Sequence, residues 1–367
     1  MFAVLLSAVC IFSLTACTSI AYYSQATVGH LSLLIQRRPI DTVLQDPALD
    51  NEIKAKLREV QKIRNFASNS LSLPDNDSYR SFADIKRQYV VWNVFATPSL
   101  SLTPIESCFF VVGCLSYRGY YAESDARAFG DELRAAGHDV YVGGVAAYST
   151  LGWFDDPVLN TMFYWDNRRL AKLIFHELTH QLLYVKNDAL FNESFATGFA
   201  ELGLQRWLQE NTAQAPSLGQ ANSEQTLAAL PASPNDEKTR ETAFIEMLLD
   251  TQEQLKALFS GTLSDQEKLL EKALIFSELR GEYKRFKERF SYSGYDTWMS
   301  EDLNNAKISS VVTYHSYDNA FKHLLQQVDN DIDQFITVVK AIAALQAEAR
   351  HECLVKLTTD QQHRCDI

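Results

Sequence analysis

The sequence predicts an α+β protein that is predominantly α, and two observations carry that expectation. Between Tyr89 and Tyr148 lie stretches dense in β-branched and aromatic residues, the composition of buried strands. Before them, and almost everywhere after Pro157, apolar residues recur at intervals of three and four. With 367 residues, 46% of them hydrophobic, the chain can bury one large core or two moderate ones.

The elements follow in order. Ile53, Leu57, Val60 and Ile63 mark one face of a helix from Asp41 to about Ser70, which Leu73-Pro74-Asp75-Asn76-Asp77 ends. Tyr89–Phe95 and Phe109–Val112 read as strands. Ser124 is placed to cap a helix running to about Ala136, and Gly137 to stop it. A strand follows from Asp139 to about Tyr148, with Gly143-Gly144 inside it. Past a turn at Asp155-Asp156-Pro157 the pattern is helical, interrupted over residues 212–235 by Pro216, Pro231 and Pro234, which predict a surface loop. Long charged helices then fill residues 236–367: Asp236–Phe259, Ser264–Phe290 and Asn319–Val355, a helical C-terminal lobe over a region spanning 17–211 that holds the sheet and the first helices.

The charge balance narrows the function. Lys and Arg number 34 against 46 Asp and Glu, a formal charge of -12 with no basic stripe, so nucleic acid is not an expected partner. Residues 1–36 contain no Asp, Glu, Lys or Arg, and the apolar run Phe2–Leu14 reads as an export segment too short to span a membrane.

The chemistry is concentrated in His176-Glu177-Leu178-Thr179-His180. Residues four apart share a helix face with Cβ atoms about 5–6 Å apart, so two imidazoles can reach one Zn2+ ion. The Glu between them can take a proton from water without itself coordinating. Leu170, Leu173, Ile174, Phe175, Leu178, Leu182 and Leu183 surround the motif with apolar residues. Lys186-Asn187-Asp188 predicts a turn, after which Asn192-Glu193-Ser194-Phe195-Ala196 begins a second helix antiparallel to the first. Its Glu193 face continues through Ala196, Thr197 and Ala200, residues small enough for close approach, and Glu193 would complete a two-His, one-Glu site. Glu201 is the rival third ligand, or a residue orienting a ligating His. Tyr148 and the Tyr314-His315 pair are candidate donors to the oxyanion, and Tyr184 shares the metal face.

These two segments resemble the gluzincin peptidases, whose HExxH helix precedes a helix with an Asn-Glu-x-x-Ala-type ligand motif. The chain is also similar to the aminopeptidase lipoprotein family of Gram-negative bacteria. That likeness is carried by Tyr22-Tyr23-Ser24-Gln25-Ala26, Phe110-Val111-Val112-Gly113-Cys114, Tyr117-Arg118-Gly119-Tyr120-Tyr121 and the run Gly143–Phe154. The resemblance implies a zincin-like catalytic lobe with a small mixed sheet, whose edge strand before the metal helix aligns a peptide or protein substrate. One departure is that only twelve residues separate His180 from Glu193.

Leu14-Thr15-Ala16-Cys17 resembles a bacterial lipobox, which implies a signal peptide over 1–16, a lipidated Cys17 at the mature N-terminus and attachment to the membrane through that lipid. No basic residue precedes it, a departure from the usual signal. Thr18 in place of Asp implies the periplasmic face of the outer membrane. In an oxidising compartment the remaining cysteines are expected to pair, the short separations favouring Cys108 with Cys114 and Cys353 with Cys365, although four cysteines permit three connectivities. Three functional readings remain open: a zinc aminopeptidase, a zinc endopeptidase acting on envelope proteins, and a non-catalytic envelope lipoprotein with a structural metal.

Overall fold

The computed structural model describes residues 22–109, 113–147, 149–213 and 237–367. The export segment, Cys17, Phe110–Val112, Tyr148 and residues 214–236 of the expected surface loop lie outside the described residues.

The chain begins with α1 (residues 22–36), β1 (Arg38–Pro39), α2 (Ile40–Leu44) and α3 (Asn51–Ser70). The single helix expected from Asp41 is thus two, because Pro47 cannot continue α2 and the Asp50 carboxylate accepts from the Glu52 and Ile53 amides to start α3. Next come β2 (Ser81–Ala83), β3 (Val91–Pro98), β4 (Ser107–Phe109), β5 (Gly113–Leu115), β6 (Tyr117–Tyr120), α4 (Glu123–Ala135), β7 (His138–Val145) and β8 (Val158–Leu159). Ser124 does not cap α4; it lies in the first turn with its hydroxyl donating to Asp125. Gly137, at φ +87°, does end that helix.

The strands form three small sheets in place of one. One is mixed, β1-β2-β8; one is antiparallel, β6-β3-β7; the third is the pair β4-β5, in which Cys108 faces and is bonded to Cys114. After a 3-10 turn (Asn160–Tyr164) the structure is helical: α5 (Asn167–Leu182), α6 (Ala189–Ala213), α7 (Glu237–Ser260), α8 (Asp265–Phe290), α9 (Asp296–Ser300), α10 (Asn305–Val312), α11 (Asp318–Gln327), α12 (Ile332–Ala344) and α13 (Ala347–Thr359). The long helix expected over Asn319–Val355 is therefore three. Asp329 and Asn330 take left-handed φ values of 52° and 61°, and Asp331 then caps α12 by accepting from the Gln334 amide.

Three apolar clusters hold the molecule. The largest packs α3, α5 and α6 against α11, α12 and α13, with Phe191, Phe195 and Phe199 of α6 interleaving with Phe321 and Phe335. The last three helices thus return to the core that contains the HExxH helix, and a second bond, Cys353–Cys365, ties α13 to the chain beyond it. A separate cluster forms among α7 to α10, and a small one lies between α4 and the β6-β3-β7 sheet. α5 and α6 approach closely because Ala196 and Ala200 are wholly buried, and a Cβ on Gly203 would stand 2.8 Å from the Phe175 side chain.

Candidate metal centre

α5 starts at Asp166, whose carboxylate accepts from the Arg168 and Arg169 amides, and it delivers His176, Glu177 and His180 to one end of the largest core. Its C-terminus turns sharply into α6. Asn187 takes a left-handed φ of 64°, and its side-chain oxygen accepts from the Cys114 amide at 2.8 Å. Asn192 clamps the turn by exchanging two hydrogen bonds with Val185, donating to its carbonyl at 2.7 Å and accepting from its amide at 2.8 Å. Asp188 accepts from the Phe191 amide and is buried against Arg350 of α13 at 2.6 Å and His351 at 3.1 Å. The first turn of α6 is thereby fixed from three sides, and Glu193 projects from it towards α5.

The result is a tight constellation. The Nε2 atoms of His176 and His180 are 3.1 Å apart, and Glu193 Oε2 lies 3.3 Å from the first and 3.5 Å from the second. Three atoms held about 2.0–2.1 Å from a tetrahedral ion are about 3.3 Å from one another, so this donor set has the dimensions of a metal site. Glu193 Oε2 is buried and makes no hydrogen bond, although it is aimed at both rings. Such an orphaned carboxylate oxygen in a buried pocket calls for a cation. Among the described residues one other grouping of ligand types occurs, Glu106 with Cys108 and Cys114, but there the two sulfurs are bonded to each other and offer no thiolate.

The electrostatics suit ligation. Burial raises the Glu193 carboxyl, but His180 and His176 outweigh it and hold the group down at about 2, so it is ionised. Burial lowers His176, with Glu193 opposing, which favours the neutral ring a metal needs. Burial acts in the same sense on His180, yet Glu193 overcomes it and the ring is raised. Glu177 is 8% exposed and stands outside the triad. Burial pushes it up to about 7; the His180 ring works against that, and the charges of Glu193 and Asp156 reinforce it. A carboxyl poised near neutrality beside such a donor set is suited to moving protons.

The other expected residues separate. The Tyr314 ring, just past α10, lies 6.1 Å from the His176 ring, and burial together with the Glu193 charge pushes its phenol well above the ordinary value. His315 turns to the Asp318 carboxylate at 2.8 Å. Glu201 pairs with Lys172 at 3.4 Å, one helical turn before His176. The Tyr184 phenol is raised by burial and then by Glu193.

Tyr117 is a phenol that sequence reasoning passes over. It opens β6 directly after the Cys108–Cys114 pair, opposite Phe95 of β3, and burial, Glu193 and Glu177 in that order drive its phenol well above the usual range. It sits within Tyr117-Arg118-Gly119-Tyr120-Tyr121, and nothing in its spacing to the HExxH helix marks it.

The β7 strand is an edge. Val140 gives its carbonyl to the Asn304 side chain and not to β3, so by alternation the amide and carbonyl of Val142 and Gly144 also face away from β3. Beyond β7 the chain runs on to Gly152, which stands against the Gln181 side chain one turn after Glu177.

Comparison with curated proteins and with solved structures returns no match. The family described as "Putative aminopeptidase" matches residues 21–354, covering both metal-centre helices, the sheets and the tyrosines around the site, and the chain belongs to that family.

Proposed function

We propose that this member of the family is a zinc-dependent peptidase in which His176, His180 and Glu193 hold the ion and Glu177 is the general base. The observation that carries the reading is the separation of the three donor atoms, 3.1, 3.3 and 3.5 Å, with a second carboxyl, Glu177, beside them and outside the set. Zinc in such a site supplies Lewis acidity, which activates water and polarises the scissile carbonyl. Glu177 would take the proton from the attacking water and return it to the departing amine, its carboxyl buried beside the donor set and bound to none of its members. Tyr314 donates to the carbonyl oxygen as charge develops there, its phenol kept protonated by burial. A substrate backbone pairs with Val142 and Gly144 along the free edge of β7, which orients the peptide. Tyr148, at the end of that segment, remains a second candidate donor. His315 holds the turn after Tyr314 through Asp318.

Aminopeptidase action follows the family, and endoproteolysis of envelope proteins is the alternative; N-acetylated and free peptides of one sequence separate them. Cys17 carries the lipid that attaches the protein to the periplasmic face of the outer membrane. The central test is Glu177→Gln. The expected variant retains one zinc and the wild-type fold while losing hydrolysis; full activity would sink the mechanism, and loss of the metal would make Glu177 a ligand.

A further inference from the structure

Among the described residues, one side of α1 exposes apolar side chains and carries no charge. α1 buries Leu33 and packs Gly29 against the Tyr121 ring, while Gln25 accepts from the Tyr121 amide, so this side of the helix is its anchored side. Its opposite side presents Val28 at 64%, Leu31 at 49% and Ile35 at 83% exposure, spaced three and four apart on one stripe. No residue from 22 to 36 carries an Asp, Glu, Lys or Arg side chain to hydrate that stripe. Beside it stand Trp153, 70% exposed, and Phe154, 50% exposed. Two contacts join these aromatics to the helix: the His30 and Phe154 rings are 4.7 Å apart, and Arg37 donates to the Asp155 carbonyl at 2.6 Å. His30 and Arg37 thus fasten the segment that exposes Trp153 and Phe154 to the helix that carries the stripe.

We infer that this surface is seated on a lipid bilayer, with α1 lying in the interface plane and Trp153 and Phe154 inserted beside it. The inference rests on the lipid anchor proposed at Cys17. Five residue steps lead from Cys17 to Tyr22, and at about 3.6 Å each they reach no more than about 18 Å, so the start of α1 is held near the acyl chains. An amphipathic helix with aromatic neighbours is the form that interfacial anchors take, and one lipid group alone gives only marginal attachment, which a second apolar contact reinforces. The stripe itself carries no basic residue, Arg37 and Arg38 standing only at the end of the helix, and with the net charge of -12 this points to zwitterionic lipid. Because Gly152 stands against Gln181 of α5, the segment that inserts also runs close to the helix that carries His180.

The test uses the full lipidated protein in dioleoylphosphatidylcholine vesicles with and without brominated acyl chains. Trp153→Phe isolates the Trp153 emission from that of the other tryptophans, the chain having 5 in all. The expected result is loss of most of the Trp153 emission on brominated lipid. It should be restored in Val28→Glu/Ile35→Glu, which still sediments with vesicles through its lipid and hydrolyses peptides at the wild-type rate. Sedimentation without quenching of Trp153 would leave the anchor standing and overturn the seated face, whether that face proves to be in water or against a second copy. A wild-type protein that fails to sediment would overturn both.

Discussion

Asp156 is buried at 3% exposure, and only half of its carboxylate is satisfied: Oδ2 accepts from the Thr150 amide at 2.9 Å, whereas Oδ1 has no partner. Burial pushes its pKa from 3.8 up to about 6, the Thr150 amide and hydroxyl opposing the shift. A raised native pKa means that the folded protein binds the proton more tightly than the unfolded chain. The associated stability is complete below about pH 3.8 and is lost as pH rises through about 6. A shift of about 2 units corresponds to roughly 3 kcal/mol above that window. Asp156→Asn keeps an acceptor for Thr150 and carries no charge, so it should be roughly 2–3 kcal/mol more stable than wild type at pH 7 and about equal to it at pH 4. Urea unfolding of the metal-free proteins, followed by near-ultraviolet circular dichroism at pH 4, 5, 6 and 7, reads this directly. A difference that does not change with pH, or a wild type more stable at pH 7, would refute the reasoning by showing that the ionised carboxylate is well solvated.

Three further outcomes follow from the site. Glu193→Ala should lose zinc in equilibrium dialysis, while Glu201→Ala, whose carboxylate serves Lys172, should keep its affinity within about tenfold; the reverse would exchange their roles. Arg350→Met leaves the Asp188 carboxylate, 4% exposed, to His351 and the Phe191 amide alone and should cost about 1–3 kcal/mol in thermal unfolding, most of it recovered when Asp188→Asn is added. Tyr314→Phe should lower kcat on the order of 10²-fold with little change in KM, and Tyr117→Phe measured alongside shows which phenol faces the developing charge.

How far the site could be read from the chain depends on how local each part is. His176 and His180 carry their geometry in their spacing, since any α-helix puts them on one face. Glu193 is legible through its neighbours: small residues predict close helix packing, and Asn187 and Asp188 predict the turn. Tyr117 is not legible. Its arrival depends on the register that sets it opposite Phe95 and on the β4-β5 pair that precedes it, both settled by contacts remote in sequence. Asp156 is visible as a carboxylate, but its burial under Ser78 and Thr150 is a tertiary fact. The division of 319–355 into three helices escapes the periodicity because the apolar spacing continues through Asp329-Asn330, where the backbone turns left-handed, and the second break is an extended Leu345-Gln346.

The joint between α5 and α6 limits how such an enzyme can be varied. Asn192 already closes Val185 back on itself, Asn187 is spoken for by Cys114, and Asp188 is locked to α13. A residue inserted there would swing Glu193 off the histidines, so the joint tolerates neither lengthening nor shortening. The surface between Ser149 and Pro157 and the part of the disulfide-closed β4-β5 pair away from Cys114 lie outside that joint. New substrate preferences, natural or designed, would have to be written into those two segments, leaving the ligand helices as a fixed-length cassette that can be moved only whole.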